Sequence, residues 1–157
     1  MSTSPSQPSN SRAWAESSRL PYAAMSADDS SYAMPENFLE IEVTRPLVVP
    51  DSAGKANHVT YEIIVRTNIP TFPKKQSSVR RRYSDFVQFR SDLLKQQPRV
   101  PLPSLPPKRF LNNLSEEVIS ERQEALQRFL DIVAGHPILQ TGSRLLGDFL
   151  QSPNYER

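Results

Sequence analysis

The chain has 157 residues, of which 37% are hydrophobic and 23% are charged, a typical composition for one folded domain. It contains no cysteine, and its two histidines, His58 and His136, are far apart, so a disulfide framework, a cysteine nucleophile and a thiolate or histidine-cluster metal site are excluded. No apolar run approaches the ~20 residues of a membrane-spanning helix. We therefore expect no metal, no cofactor and no membrane span.

The net charge of +2 conceals a strongly basic central segment. Residues 74–109 contain ten Lys or Arg and two Asp, whereas the rest of the chain is net negative. Such a local excess favours a polyanionic partner, either lipid headgroups, nucleic acid or an acidic protein surface. A solvated charged face with no partner is the alternative.

Residues 1–36 are rich in serine and proline and show no regular hydrophobic period, which predicts a disordered arm. The first residues also lack the basic and apolar regions of a secretory signal, so we expect a cytoplasmic protein. Order is predicted to begin at about residue 37.

Three strand patterns follow the arm. Residues 38–43 and 59–65 alternate apolar with polar side chains, and residues 77–83 form a third short run. The prolines and the glycine of residues 46–57 mark a loop between the first two runs. Because the three strands are consecutive, an antiparallel meander is predicted.

Two helices are predicted on either side of a proline-rich segment. Ser84 is the expected N-cap of a helix over residues 85–96, and the five prolines of residues 98–107 then favour an extended polyproline strut. Ser115 is the expected N-cap of the next helix, which ends at Gly135.

A last helix is predicted over residues 139–150 from its leucines and phenylalanine. The fold class is therefore α+β, with a three-stranded antiparallel sheet packed against a helical subdomain and a polyproline strut.

Catalytic motifs are missing from the sequence. It contains no glycine-rich phosphate loop, no G-x-S-x-G and no H-E-x-x-H, and its four glycines are scattered. The glutamates that follow Ser115 alternate with arginines, as on an ordinary solvated helix surface. The protein is predicted not to be an enzyme.

The arginines Arg80, Arg81 and Arg82 run directly into a predicted helix N-terminus. Unpaired N–H groups and the positive dipole end attract anions there, a guanidinium adds bidentate hydrogen bonds, and the ring of Tyr83 can pack against a sugar-like ring. A phosphorylated ring is the expected ligand. Strand alternation sends Arg80 and Arg82 to one face and Arg81 to the other, so the three cannot all converge.

Four ordered pieces of the sequence carry a family resemblance. They are Arg81-Arg82-Tyr83-Ser84-Asp85-Phe86, Leu105-Pro106-Pro107-Lys108, Glu121-Arg122 and Ala134-Gly135-His136-Pro137. Together they resemble the PX (phox homology) domain, and from residue 37 to 151 the chain is most similar to the short, PX-only sorting nexins of the third-nexin class. The implied division is an arm, residues 1–36, a PX domain, residues 37–151, and a C-terminal tail, residues 152–157.

The resemblance implies the ligand phosphatidylinositol 3-phosphate and a role for each of four residues. Arg82 would bind the 3-phosphate, Tyr83 would pack against the inositol ring, Lys108 would contact the 1-phosphate and Arg122 would bind ring hydroxyls. Pro107 departs from the glycine that many relatives have before this lysine, and it stiffens the approach to Lys108.

The loop between Lys108 and Arg122 is shorter than in some relatives, where it inserts apolar side chains into the bilayer. Phe110, Leu111 and Leu114 are the candidates for such insertion, and packing in the core is their alternative role. Ser84 is a candidate regulatory phosphosite, because a phosphate there would place negative charge in the headgroup pocket.

The resemblance further implies a monomeric peripheral protein of early endosome, prevacuolar and Golgi-related membranes. Such a protein would recruit retromer and cargo tails for retrieval and transport to the Golgi. The alternative is a protein-interaction module in which Pro103–Lys108, a P-x-x-P-x-K sequence, binds an SH3 domain. Nucleic-acid binding is not expected, because the basic segment lacks interleaved stacking aromatics and any DNA-reading motif.

Overall fold

A computed structural model describes residues 37–109 and 111–155, so the predicted disordered arm lies outside the described residues. Three strands are followed by four helices: β1 Leu39–Pro50, β2 Ala56–Thr67, β3 Gln76–Arg82, α1 Tyr83–Gln96, α2 Glu116–Gly135, α3 Pro137–Gly142 and α4 Arg144–Gln151. Within the described part of the chain, no helix is long and apolar enough to span a bilayer.

The sheet is the predicted antiparallel meander, with the order β1-β2-β3. In the central strand β2, Tyr61, Ile63 and Val65 point into the core and are at most 1% exposed, while the alternate residues face outward. The alternation of apolar and polar residues that predicted this strand is typical of a sheet with one face covered by the core.

Strand β1 is longer than the sequence predicted, because residues 46–50 continue the ladder instead of forming a loop. The register shifts between Thr44 and Leu47, and Arg45 has a positive φ of 45° at this point. Proline is tolerated on an edge strand next to a bulge, so Pro46 does not end the pairing.

The predicted N-cap of the first helix is wrong. Arg82 is the N-cap, with extended backbone angles, and α1 begins at Tyr83, so Ser84 lies inside the first turn. The carboxylate of Asp85 explains this start, because its Oδ2 accepts a hydrogen bond from the Arg82 backbone N–H at 2.9 Å. The consequence is that α1 begins directly at the end of β3 and holds the Arg82 side chain at its first turn.

The N-cap of α2 is confirmed, since Ser115 Oγ accepts from the Val118 N–H at 3.3 Å. Helix α2 packs along the edge strand β1 through the amide of Gln127, which accepts from the Val43 N–H and donates to the Ile41 carbonyl. Gln123 adds a bond from Nε2 to the Val43 carbonyl at 3.1 Å. These amides complete the open edge of β1 and fix α2 against the sheet.

The last predicted helix is divided into α3 and α4, because Ser143 stops the first and caps the second. Phe149 of α4 lies in an aromatic cluster, stacked on Phe89 at 4.0 Å and edge-on to Phe86 at 5.0 Å. Beyond α4, Tyr155 packs edge-on to Phe149 at 5.2 Å. The packed body therefore extends past residue 151, where the sequence placed the end of the domain.

Candidate functional site

A cleft of about 150 Å³ opens where the sheet, the start of α1, the proline strut and α2 meet. Arg82, Tyr83, Lys108 and Arg122, the four residues predicted to bind the headgroup, all line it. The other lining residues are Asn57, His58, Val59, Ser84, Arg109, Asn113 and Leu114. The fold thus brings one strand end, one strut and one helix face together around a single small cavity.

Arg82 is placed by the junction between β3 and α1. Its backbone N–H is held by Asp85, and its Nε lies 3.9 Å from Asp85 Oδ1, a long ion pair. The side chain remains 39% exposed. A guanidinium has five N–H donors, and within residues 37–109 and 111–155 the side chain of Arg82 makes this long contact, which leaves donors for an anion in the cleft.

Tyr83 and Arg122 form a stacked pair across the cleft. The guanidinium carbon of Arg122 lies 4.2 Å from the centre of the Tyr83 ring, within the range of a cation–π contact. Burial raises the pKa of the Tyr83 hydroxyl, and the charge of Arg122 partly opposes that rise. Tyr83 therefore remains neutral at physiological pH, and its ring orients the arginine of α2.

The proline strut is fixed by hydrogen bonds to its carbonyl groups. The Tyr83 hydroxyl donates to the Pro106 carbonyl at 2.5 Å, and Arg90 Nε donates to the Pro103 carbonyl at 2.8 Å. Leu105 packs against the hydrophobic core. Because the strut is held at these points, Lys108 follows it as an exposed residue on the cleft wall.

The arginine triplet divides as strand alternation predicted. Arg80 is exposed and donates to the Thr60 side chain at 2.9 Å and to the Arg45 carbonyl at the bulge. Arg81 is only 4% exposed and points to the opposite face. Of the three, Arg82 alone lines the cleft.

The electrostatic character of the cleft is cationic. Its lining contains the four cations Arg82, Lys108, Arg109 and Arg122 and no carboxylate. Pockets for drug-sized ligands usually measure roughly 300–1,000 Å³, so this cleft suits a smaller, anionic group. A larger cleft of about 500 Å³ shares no lining residue with it and contains one cation, Arg144, which pairs with Asp148 at 3.8 Å.

A family model described as the PX domain matches residues 69–153, more than half of the chain. The chain belongs to the PX-domain family. Its relatives include the proteins named Sorting nexin-3 of Aspergillus oryzae, 50% identical over 138 residues that cover 88% of this chain and 96% of that protein, and of Yarrowia lipolytica, 52% identical over 126 residues that cover 80% and 82%.

The fold of the PX domain is also found by structural comparison. The X-ray structure of a designed CISK-PX domain matches with a TM-score of 0.59 and 27% identity, over 72% of this chain and 99% of that one. The α+β fold predicted from the sequence is confirmed.

Several lining residues of the PX-domain cleft were not predicted. Arg109 follows Lys108 directly and carried the signal of a second cation at the end of the strut. No sequence signal marked Asn57, His58 and Asn113, because the strand register and the loop path bring them to the cleft wall.

The three predicted membrane-inserting residues have different surroundings. Leu111 is 82% exposed, whereas Leu114 is half-buried and lines the cleft, and Phe110 lies outside the described residues. Asn112, between the two leucines, has a positive φ of 57°, which turns the chain sharply at this point.

Proposed function

We propose that this protein binds phosphatidylinositol 3-phosphate on endosomal membranes through the PX-domain cleft. The observation that carries the proposal is the convergence of Arg82, Tyr83, Lys108 and Arg122 on one small cationic cavity. Membership of the PX-domain family and similarity to sorting nexins support phosphoinositide binding in endosomal sorting, as an adaptor and not as an enzyme.

Each residue has a role that its surroundings support. Arg82, at the first turn of α1, binds the 3-phosphate with the help of the helix N-terminus. Tyr83 supplies an apolar ring face for the inositol. Arg122, which lies over the Tyr83 ring, donates to the hydroxyls of the inositol. Lys108 reaches the 1-phosphate. The contacts made by Arg82, Lys108 and Arg122 are charge-assisted hydrogen bonds, which contribute roughly 1.5–3 kcal/mol each.

The loop beyond Lys108 is proposed to contact the bilayer itself. Leu111 is the most exposed large apolar side chain of the described residues, and it follows the lining residues Lys108 and Arg109. When the headgroup occupies the cleft, the lipid chains lie outside it, so an apolar side chain at its rim can enter the interface. Phe110 and Leu114 complete the proposed insertion set.

We also propose that Ser84 is a phosphorylation site that controls binding. Its side chain is exposed, it lines the cleft, and it lies in the first turn of α1. A phosphate on Ser84 would interact with the same helix terminus and the same arginines as the lipid phosphate. Modified protein would therefore leave the membrane while remaining folded.

Recruitment of retromer and cargo tails, with transport to the Golgi, is proposed from the similarity to sorting nexins. The proposed contact includes the arm, residues 1–36. The role of the arm is tested by co-sedimentation of purified retromer with vesicles that carry either the full chain or a chain that lacks residues 1–36. We expect the shortened chain to bind vesicles as the full chain does but to lose retromer. Full retention of retromer by the shortened chain would contradict the role of the arm.

Binding of an SH3 domain by the strut is disfavoured by the fold. Pro103 and Pro106 are half-buried, and their carbonyls accept hydrogen bonds from Arg90 and Tyr83. A polyproline ligand must present its backbone and prolines to the partner groove, so docking would require the strut to leave the domain.

The proposed function is tested with a series of vesicles, each containing one phosphoinositide, and three proteins: wild type, Arg122→Gln and Arg128→Gln. Arg128 is a matched control, because it is an exposed arginine of α2 that does not line the cleft. We expect selective binding to phosphatidylinositol 3-phosphate that falls about tenfold in Arg122→Gln alone. Equal binding to all phosphoinositides, or equal loss in both variants, would contradict the proposal.

A further inference from the structure

His58 lies in the wall of the cleft and has no part in the binding set described above. It belongs to the central strand β2 and pairs with Val49 of β1. Its side chain is half-buried, and the residue lines the cleft with its neighbours Asn57 and Val59. Because side chains alternate along a strand, His58 shares a sheet face with Thr60, which pairs with the cleft residue Arg82.

The hydrogen bonding of His58 leaves its ring able to accept a proton. Among the described residues its hydrogen-bond contact is a long one, 3.4 Å between Asn57 Nδ2 and His58 Nδ1. Rotation of the Asn57 amide presents its oxygen in place of its nitrogen, so a proton on Nδ1 would be accommodated. A protonated imidazole then donates from both ring nitrogens.

The charges around His58 come from every element that forms the cleft. The end of β3, the strut and α2 contribute Arg82, Lys108, Arg109 and Arg122. The carboxylates paired with these cations are Asp85 and Glu121, and the β1–β2 turn carries Asp51 and Lys55. A phosphate that enters the cleft brings negative charge beside the imidazole, and negative charge favours the protonated form of histidine.

The β2 residues form one wall of the same small cleft as the phosphate-binding cations. The cleft measures about 150 Å³, so a headgroup held by Arg82 and Lys108 lies near the β2 wall. This wall consists of Asn57, His58 and Val59, whose side chains alternate between the two faces of the strand.

We infer that His58 is a further headgroup ligand and binds in its protonated form, so that capture of the headgroup takes up a proton. The inference rests on the proposed function. Histidine is the side chain that ordinarily changes charge between pH 5 and 8. Because the bound state holds one more proton at His58, the affinity of wild type relative to His58→Asn rises as the pH falls from 8.0 to 6.5, by at most about tenfold per pH unit for one linked proton.

The test is calorimetric titration of the full chain with inositol 1,3-bisphosphate at pH 7.0 in two buffers of different ionisation enthalpy, which counts the protons taken up. The variants are His58→Asn and His136→Asn. His136 is a matched control, because it caps α3 outside the cleft and asparagine is an equally good N-cap. The proton release that comes from the phosphate itself is common to all three proteins and cancels in the comparison.

We expect wild type and His136→Asn to take up about 0.3–1 proton more per headgroup than His58→Asn. We also expect the affinities of His58→Asn and wild type to converge as the pH rises from 6.5 to 8.0, because a linked proton contributes less to binding at higher pH. Equal proton uptake in all three proteins would overturn the inference while leaving the proposed function in place. Absence of any headgroup binding, or equal affinity for inorganic phosphate, would overturn the proposed function and this inference with it.

Discussion

Arg81 and Arg82 are neighbours in β3, and their surroundings differ in almost every respect. Arg81 is 4% exposed and donates to the carbonyls of Asp148, Phe149 and Ser152 at the C-terminal end of α4. Its guanidinium also lies 5.1 Å from the centre of the Tyr155 ring. Arg82 lies at the cleft, more exposed and held by a single long ion pair.

The difference supports the proposal that one run of cations serves both folding and headgroup recognition. The donors of Arg81 are used by the carbonyls of Phe149 and Ser152 at the end of α4, and by that of Asp148, which also accepts from the Ser152 N–H. Burial lowers the pKa of the Arg81 guanidinium, with Asp85 and Tyr155 opposing. The donors of Arg82 are largely available to a ligand. We therefore assign stability to the first arginine and binding to the second.

The largest expected effect is on stability, from Arg81→Leu. The variant removes the side-chain donors to the carbonyls of Phe149 and Ser152, which should lower the free energy of unfolding by about 2–4 kcal/mol. Urea unfolding measures it, with Arg144→Leu as the control, because Arg144 is 93% exposed on α4. If Arg81→Leu unfolds at the same urea midpoint as wild type, the structural role of Arg81 is contradicted.

A negative charge introduced at Ser84 tests the proposed binding role of Arg82. Ser84→Asp should weaken binding to phosphatidylinositol 3-phosphate vesicles by about tenfold to a hundredfold, since an anion beside Arg82 competes with the lipid phosphate. The melting temperature should not fall, because an acidic residue in the first turn of α1 is favourable. Ser84→Ala keeps the N-cap at Arg82 and should bind as wild type. Equal vesicle binding by Ser84→Asp and wild type would contradict the proposed switch.

A smaller effect is expected from Gln127→Ala, which separates the position of α2 from the chemistry of the cleft. Loss of the amide leaves the N–H of Val43 and the carbonyl of Ile41 without this partner, which should cost about 1–2 kcal/mol in the free energy of unfolding. Gln123→Ala removes a single bond and should cost less. A larger loss in Gln123→Ala would mean that the Gln127 pairing is not what fixes α2.

Much of this fold could be predicted, because local patterns determine it. The alternation of β2 specifies its buried face, and Ser115 specifies the start of α2. The predicted start of α1 at Asp85 is wrong, because Ser84 is the residue with a good N-cap side chain, whereas the Asp85 carboxylate fixes the helix start two residues earlier by accepting from the Arg82 N–H. The bulge at Arg45 depends on pairing with β2 and has no local signal.

The candidate site could be predicted only as far as the family motif extends. The motif contains Arg82, Tyr83, Lys108 and Arg122, and the fold brings all four to one cleft. His58 is not in the motif, because its place on the cleft wall follows from the register of β2 and from the path of the strut. Register and loop path are tertiary properties that single residues do not reveal.

The most direct measurement determines vesicle binding and urea unfolding on the same sample of Arg82→Gln. The account predicts binding to phosphatidylinositol 3-phosphate vesicles that is about tenfold to a hundredfold weaker than wild type. It predicts a free energy of unfolding within about 1 kcal/mol of wild type, as for a partly exposed side chain. Wild-type binding, or a loss of stability as large as that of Arg81→Leu, would contradict the division of roles between the two arginines.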